Sequence, residues 1–371
     1  MIKVLIATGV YPPESGGPAI YSKFLNDNLP KEDFEVEVLP FLLFSMYPKV
    51  IRHFTYFFAV VKKARKMDII YAQDPVSAGF PAFLVAKLLR KRFILRLGGD
   101  YAWEQGTLRF GVTDSLDNFS KKYGSYPLMV RILKDIQHFV VSQTKTIVVP
   151  SRYLKNIVMN WDIKEENIVV VYNAFLAPEV TSSKEELRKK LKLDGSIVLS
   201  AGRLVPWKGF SRLIDTFSEI IKKDKDIKLY ILGDGPEREA LTLKVAQYKL
   251  QDKVIFLGRL SHNETLEYIK AADVFILNTF YEGMSHILLE AMAMGTPIAT
   301  TRAGGNKELI MDKENGLIFE HDDKEEMEDA VFELLKNKDM AKKHTDNGKK
   351  TLEKFKSADV LDKTIEILRK V

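Results

Sequence analysis

A chain of 371 residues, 46% hydrophobic and 29% charged, is long enough for two α/β cores and too apolar for disorder. It contains no cysteine, which excludes a disulfide framework, a thiolate zinc site and a cysteine nucleophile. The net charge of +6 is uneven: residues 1–175 hold 23 lysines and arginines against 16 acids, and the remainder holds 33 against 34, which points to an anionic surface or substrate met by the first half.

The opening MIKVLIATGVYPPESGG carries one short apolar run and no small-residue cleavage site after a basic region. No apolar run reaches the ~18–20 residues that span a bilayer, so the expectation is a cytoplasmic protein. Lys3 to Thr8 read as a buried β-branched strand that runs into a turn with Pro12, Pro13, Gly16 and Gly17, and a helix follows from about Ala19. This strand, glycine loop and helix open a mononucleotide-binding half. Further strands are predicted at Glu35–Leu39, Asp68–Ala72, Phe93–Arg96, Thr146–Val149 and Ile168–Val171, separated by helical patterns. The alternation predicts a parallel sheet covered by helices on both faces.

Within this half, aromatic and basic residues interleave from Phe41 to Lys66. Met46, Tyr47, Lys49, Arg52, His53, Phe54, Tyr56 and Phe57 form a candidate patch for an anionic lipid surface. Lys62, Lys63, Arg65 and Lys66 add charge, and Lys87, Arg90, Lys91 and Arg92 extend it. The same run also fits a buried helix with a cationic end that complements its dipole.

The pattern breaks near Asn173–Ser183, giving an expected first domain of 1–175 and a second of 176–356. A Lys/Glu-rich helix around Lys184–Leu191 opens the second. Strands are predicted at Ile197–Ala201, Lys228–Leu232, Val254–Leu257, Val274–Leu277, Pro297–Thr300 and Gly316–Phe319, each followed by a loop and a helix. A last helix, about Ser357–Arg369 within 357–371, is expected to cross back to the first domain. The fold class is therefore α/β, with two doubly wound domains whose active site is expected at the carboxyl ends of the strands.

Four loops of the second series carry the chemistry. In AGRLVPWKGF, residues 201–210, Arg203 and Lys208 are placed to grip a diphosphate, one as a planar fork and one as a compact charge. Two solvated surface cations would look the same. In LGDGPE, residues 232–237, Gly233 and Gly235 permit a tight turn and a close approach of backbone to ligand. In FLGRLSHNE, residues 256–264, Gly258 is placed to frame a flat base, and Ser261 equally fits an ordinary helix cap. The longest motif is NTFYEGMSHILLEAMAMGTPIATTRAGGNKELI, residues 278–310. Glu282 and Glu290 are expected on nearly one face, suited to sugar and ribose hydroxyls. Gly283, Met284, Ser285 and His286 lead into a helix whose free N–H groups can receive phosphate oxygens. Gly304, Gly305, Asn306 and Glu308 repeat the glycine-to-helix pattern.

Taken in order, GRLVPWKGF, GDGP, FLGRL and EGMSHILLEAMAMGTPIATT followed by AGGNKELI resemble the nucleotide-sugar glycosyltransferases of family 4. The resemblance is close over about residues 197–320 and looser before. It implies the retaining GT-B architecture, two Rossmann-like domains facing each other across a cleft, the first for acceptor and the second for donor. It implies that Arg203 and Lys208 hold the donor diphosphate and stabilise the leaving nucleotide. Glu290 would then bind the ribose, Glu282 the transferred sugar, and Gly283 to His286 the phosphates or sugar. Gly16 and Gly17 are implied to approach the donor phosphate when the cleft closes. No metal or other cofactor is expected, since cations and helix N-termini neutralise the leaving group. The family often carries a histidine after the strand matching Phe93–Leu97. Here RLGGDYAWE places Gly99 there, and Asp100 becomes the candidate to orient acceptor or sugar, with a helix or turn cap as its other reading. Trp103 and Glu104 are secondary acceptor candidates.

The expected partners are a nucleotide-sugar donor, with uridine favoured over guanosine by family habit, and a glycan or lipid-linked acceptor. An anionic membrane surface is the third, with the protein peripheral at the inner face. Two other functions stay open: a nucleotide-sugar 2-epimerase, and a sensor that binds the nucleotide sugar without transferring it. A nicotinamide dehydrogenase lacks its G-x-G-x-x-G after the first strand, and no nucleic-acid-reading motif accompanies the basic patch.

Overall fold

The computed structural model describes all residues except 15, 123, 174 and 176–179, and only the backbone of residue 49. Contacts divide the chain into two compact units, Met1–Ala174 with Ser357–Val371, and Phe175–Lys356. The boundary segment predicted at Asn173–Ser183 lies partly outside the described residues.

The first unit holds strands β1 (Ile2–Thr8), β2 (Phe34–Pro40), β3 (Ile69–Ala72), β4 (Arg92–Arg96), β5 (Ile147–Val149) and β6 (Ile168–Val170). They form one sheet in the order β2-β1-β3-β4-β5-β6, and every pairing is parallel. Every residue of β3 and of β5 is buried. That continuous burial is what a parallel sheet covered on both faces requires. Among its helices are α1 (Gly17–Asn28), α2 (Lys49–Ala64), α3 (Gly79–Leu88) and α4 (Tyr101–Arg109).

The terminal helix Ser357–Lys370 packs in this unit, far in sequence from everything it touches. Val360, Ile367 and Leu368 enter the core formed by Val4, Ile6, Tyr21 and Leu25. The Tyr21 and Thr364 hydroxyls hydrogen-bond at 3.0 Å, and Arg369 pairs with Asp33 at 2.6 Å.

The second unit holds β7 (Ser196–Ala201), β8 (Ile227–Leu232), β9 (Val254–Gly258), β10 (Val274–Leu277), β11 (Ile298–Thr301) and β12 (Leu317–Phe319). Its sheet, also parallel, runs β12-β11-β10-β7-β8-β9. From β7 the chain moves outward to β8 and β9, then returns past β7 to begin the other side at β10. The loops leaving β7 and β10 consequently turn to opposite faces, which opens a crevice between them at the carboxyl end of the sheet. In the first unit the same reversal falls between β1 and β3.

Arg96, at the end of β4, is buried and stacks on Tyr21 with its guanidinium carbon 3.6 Å from the ring centroid. It donates to Asn173 Oδ1 at 2.7 Å and to the Val171 carbonyl at 3.4 Å. This cation braces α1 against the segment that leaves β6. Replacing it by leucine strands the buried acceptors, which costs about 1–3 kcal/mol each when no partner is regained. Urea unfolding of Arg96→Leu is expected to show a lower midpoint by that order; an unchanged midpoint contradicts the bracing role.

Candidate functional site

The crevice of the second unit is framed by hydrogen bonds between its loops, from backbone and side chains alike. The carbonyl of Trp207, after β7, accepts from Thr279 Oγ1 at 2.8 Å and from the Phe280 N–H at 2.9 Å, both after β10. The Gly209 carbonyl accepts from Asn278 Nδ2 at 3.1 Å, and Asn278 Oδ1 meets His321 Nδ1 at 3.1 Å. These bonds fix Lys208 opposite Glu282, and the two side chains form an ion pair. Their exposures of 14% and 16% place the pair partly out of water, where it is worth more than a surface bridge. Arg203, five residues before Lys208, is exposed and has no ion-pair partner among the described residues. Of the two cations expected to hold a diphosphate, one is thus already matched by a carboxylate and the other is open.

The loops approach so closely that Cβ atoms would not fit between them. A Cβ on Gly233 would lie 1.9 Å from the Gly202 carbonyl oxygen. The glycine of the GDGP turn is therefore required by backbone packed on backbone, whether or not a ligand also approaches it. Gly235 abuts Leu204 in the same way. Gly304 and Gly305 stand against the carbonyl oxygens of Glu282 and Gly283, at 2.0 and 2.3 Å from their would-be Cβ atoms. The Gly305 N–H also donates to the Glu282 carbonyl at 2.9 Å. Gly258 differs: nothing lies within 4 Å of a Cβ built there, so the space beside it is open.

The helix His286–Met294 follows Gly283 and Met284, both buried, with Ser285 as N-cap and no side chain capping it. Ser285 Oγ is buried without a hydrogen-bond partner, and so is Asn306 Oδ1. An uncapped helix start beside an orphaned hydroxyl can receive an anion. Glu290 sits one turn into this helix, whereas Glu282 precedes it in the loop. The two carboxylates therefore do not share a helix face as expected; each has its own side-chain partner. Glu290 Oε1 lies 3.0 Å from His262 Nε2 in the helix His262–Ala271, whose Ser261 forms a capping box with Glu264. His262 was not among the expected site residues, because its contact depends on β9 and β10 lying on opposite sides of β7.

In the first unit, Asp100 is the N-cap of α4 and accepts the Trp103 N–H at 2.9 Å. It is 1% exposed, and burial raises its carboxyl above the usual range, opposed by the hydrogen bond from Trp103. The cap reading is the one its contacts fit, and an acceptor role finds no support in them. Trp103 is fully buried with Nε1 donating to the Asp114 carbonyl at 2.8 Å, so it belongs to the core and not to an acceptor surface. Glu104 lies in the first turn of α4. Gly16 caps α1 at φ 139° and Gly17 begins that helix. Tyr56, expected in the exposed patch, is instead buried, its hydroxyl donating to the Leu39 carbonyl at 3.0 Å. The side chain of Lys49 lies outside the described residues.

The hydrogen bond that His262 makes to the Glu290 carboxylate raises its pKa from its ordinary 6.5, with burial opposing. A group whose pKa rises on folding stabilises the fold fully below its unfolded value and loses that contribution as pH climbs through the folded value. The melting temperature of the wild type is expected to decline from about pH 6 to above the raised value relative to His262→Gln. Parallel profiles for the two proteins contradict the pairing.

Comparison with known proteins places these features. A family model described as Glycosyl transferases group 1 matches residues 183–351, and one described as Glycosyltransferase Family 4 matches residues 17–175. The chain is similar to the alpha-monoglucosyldiacylglycerol synthase of Streptococcus pneumoniae, 29% identical over 287 residues, covering 74% of this chain and 60% of that protein. It is 23% identical to the N-acetyl-alpha-D-glucosaminyl L-malate synthase of Bacillus anthracis over 97% of this chain and 95% of the other. With two further relatives the match spans 56% and 50% of their length, so the chain covers about half to three-fifths of several proteins it resembles. The fold matches that of Anabaena HepE, solved in complex with UDP-glucose, at a TM-score of 0.77 and 18% identity over the whole of both chains.

Proposed function

Because the chain is a glycosyltransferase family 4-like protein with the GT-B fold, we propose that it moves a sugar from a nucleoside diphosphate sugar to an acceptor hydroxyl with retention of configuration. The observation that carries this reading is the pairing of Lys208 with Glu282, beside an unpaired Arg203, at the reversal point of a parallel sheet. Bond breaking between the anomeric carbon and the diphosphate leaves negative charge on the leaving phosphate. Lys208, Arg203 and the start of the helix His286–Met294 supply the balancing positive field, so the reaction needs no metal. The new bond forms from the acceptor oxygen to the same face of the anomeric carbon, and the acceptor proton passes to a phosphate oxygen of the departing nucleotide.

Glu282 has two duties. Without donor it neutralises Lys208; with donor bound, the phosphate takes over the ammonium and the carboxylate turns to sugar hydroxyls. Glu290, held by His262, receives the ribose hydroxyls, and the open space at Gly258 takes the base, with uridine favoured. Gly283, Met284, Ser285 and His286 form the edge that meets phosphate or sugar, where Ser285 Oγ is available as a hydrogen-bonding group. Asp100 is left out of the catalytic set because it is buried as a cap.

The setting we propose is cytoplasmic, at the inner face of the membrane, in the assembly of a cell-surface glycan or glycolipid. The relative from Streptococcus pneumoniae carries a diacylglycerol in its name, which supports a lipid-linked acceptor here. No helix among the described residues is long and apolar enough to cross a membrane.

Removing one preorganised donor to a developing oxyanion costs about 2.7–4 kcal/mol, or ~100-fold and more in turnover. Arg203→Ala and Lys208→Ala are each expected to lose that much in release of nucleoside diphosphate with acceptor present. A loss under about threefold in both overturns the assignment. The product is expected to be a new glycoside with the donor's anomeric configuration, read by the proton coupling at the anomeric carbon. An isomeric nucleotide sugar would identify a 2-epimerase instead, and binding without product a sensor.

A further inference from the structure

The helix α2 and the turn before it expose a stripe of large apolar side chains. Leu43, Met46, Val50, Phe54 and Phe58 are 63%, 78%, 70%, 63% and 65% exposed, and Ile51 lies beside them. The four-residue spacing of Val50, Phe54 and Phe58 puts them along one side of α2, and Leu43 and Met46 are exposed in the turn that leads into it. The opposite side, Tyr56, Val60 and Ala64, is fully buried in the unit. Single exposed apolar residues are ordinary, but a contiguous run of this size marks an interaction surface.

The charge around the stripe identifies what covers it. Lys62, Arg65 and Lys66 follow Phe58 at the carboxyl end of α2, exposed and without ion-pair partners among the described residues, whereas Lys63 is held by Glu37. No acid lies in the sequence between Glu37 and Asp68, so nothing in this segment competes with an anionic partner. An apolar stripe bounded by uncompensated cations matches the interface of an anionic bilayer, where acyl chains take the rings and phosphates take the ammonium and guanidinium groups.

We infer that α2 and the turn before it form a monotopic docking element that inserts Leu43, Met46, Val50, Phe54 and Phe58 into the interface of an anionic lipid bilayer. This gives residues to the peripheral placement proposed above and is independent of the transfer chemistry. The basic residues draw the protein to the surface, and the apolar stripe holds it there. Binding is accordingly set by two parts that separate under salt, because screening weakens the charges and leaves apolar insertion in place.

Flotation of the full chain with phosphatidylglycerol/phosphatidylcholine vesicles, against pure phosphatidylcholine vesicles, tests this. The wild type is expected to float with the anionic vesicles and to keep part of its binding at 0.5 M NaCl. The double variant Phe54→Ser/Phe58→Ser is expected to bind at least tenfold more weakly at either salt concentration. Lys62→Gln/Lys66→Gln is expected to lose binding chiefly at low salt. Since these side chains are exposed, the melting temperatures should match the wild type, which separates lost docking from lost fold. Equal flotation of wild type and Phe54→Ser/Phe58→Ser overturns the inference. So does a wild type that stays at the bottom with every vesicle, or one that buries the stripe in a dimer which sizing shows the serine variant to lose. The turnover of Arg203→Ala tests the transfer reading separately, so either proposal can fail alone.

Discussion

The site depends on loops that touch backbone to backbone. After β7, β8, β10 and β11 the chain turns through glycines whose missing Cβ atoms let neighbouring loops meet at carbonyl distance: Gly233 on Gly202, Gly304 on Glu282, Gly305 on Gly283. A side chain at any of these points would push two loops apart by more than an ångström. Because they close on one another, Lys208 and Glu282 meet across the reversal of the sheet without either element being long or heavily packed. The cradle is closely packed at Gly233, Gly304 and Gly305, with open space at Gly258 and an uncapped start to the helix His286–Met294.

Electrostatic economy follows from that geometry. A lysine held in a half-buried crevice without a counter-ion would be desolvated for no return, and Glu282 removes that cost while the site is empty. A diphosphate carries more charge than one carboxylate, so it can displace Glu282 from the ammonium and release the carboxylate for hydroxyls. Glu290 and His262 form a second pair, at the end proposed for the ribose, with a partner whose charge is itself set by pH. Each expected carboxylate is thus held by a side-chain partner in the empty site, Glu282 by Lys208 and Glu290 by His262.

Much of the fold could be read from the order of residues. The strands are short apolar runs with glycine or proline after them, and in a parallel sheet both faces are buried, so the runs stand out in sequence even without alternation. The last helix was expected to cross into the first unit, as Ser357–Lys370 does, and Ser261 was open to a cap reading, which its box with Glu264 fits. Pairings across the sheet were not legible. Lys208 with Glu282 and Glu290 with His262 are separated by 74 and 28 residues, and only the strand order brings them together. The packing reason for the glycine of the GDGP turn was hidden in the same way, because a Cβ clash with Gly202 is invisible until β7 and β8 are paired. Tyr56 was misjudged for a simpler reason: an amphipathic residue on a half-buried helix faces either way, and packing decides; of the two readings open for Asp100, its contacts are those of the cap.

The central claim is that the Lys208–Glu282 crevice binds a nucleoside diphosphate through cations of the protein. Its most direct test is thermal unfolding with a panel of nucleoside diphosphates in chelator-treated buffer, for the wild type and for Lys208→Ala. A ligand at ~100 times its dissociation constant adds about 2.7 kcal/mol to the stability of the folded state. The account predicts a clear rise in melting temperature with one nucleotide in the wild type, largely lost in Lys208→Ala. A flat response across the panel in the wild type, or an equal rise in Lys208→Ala, would contradict it.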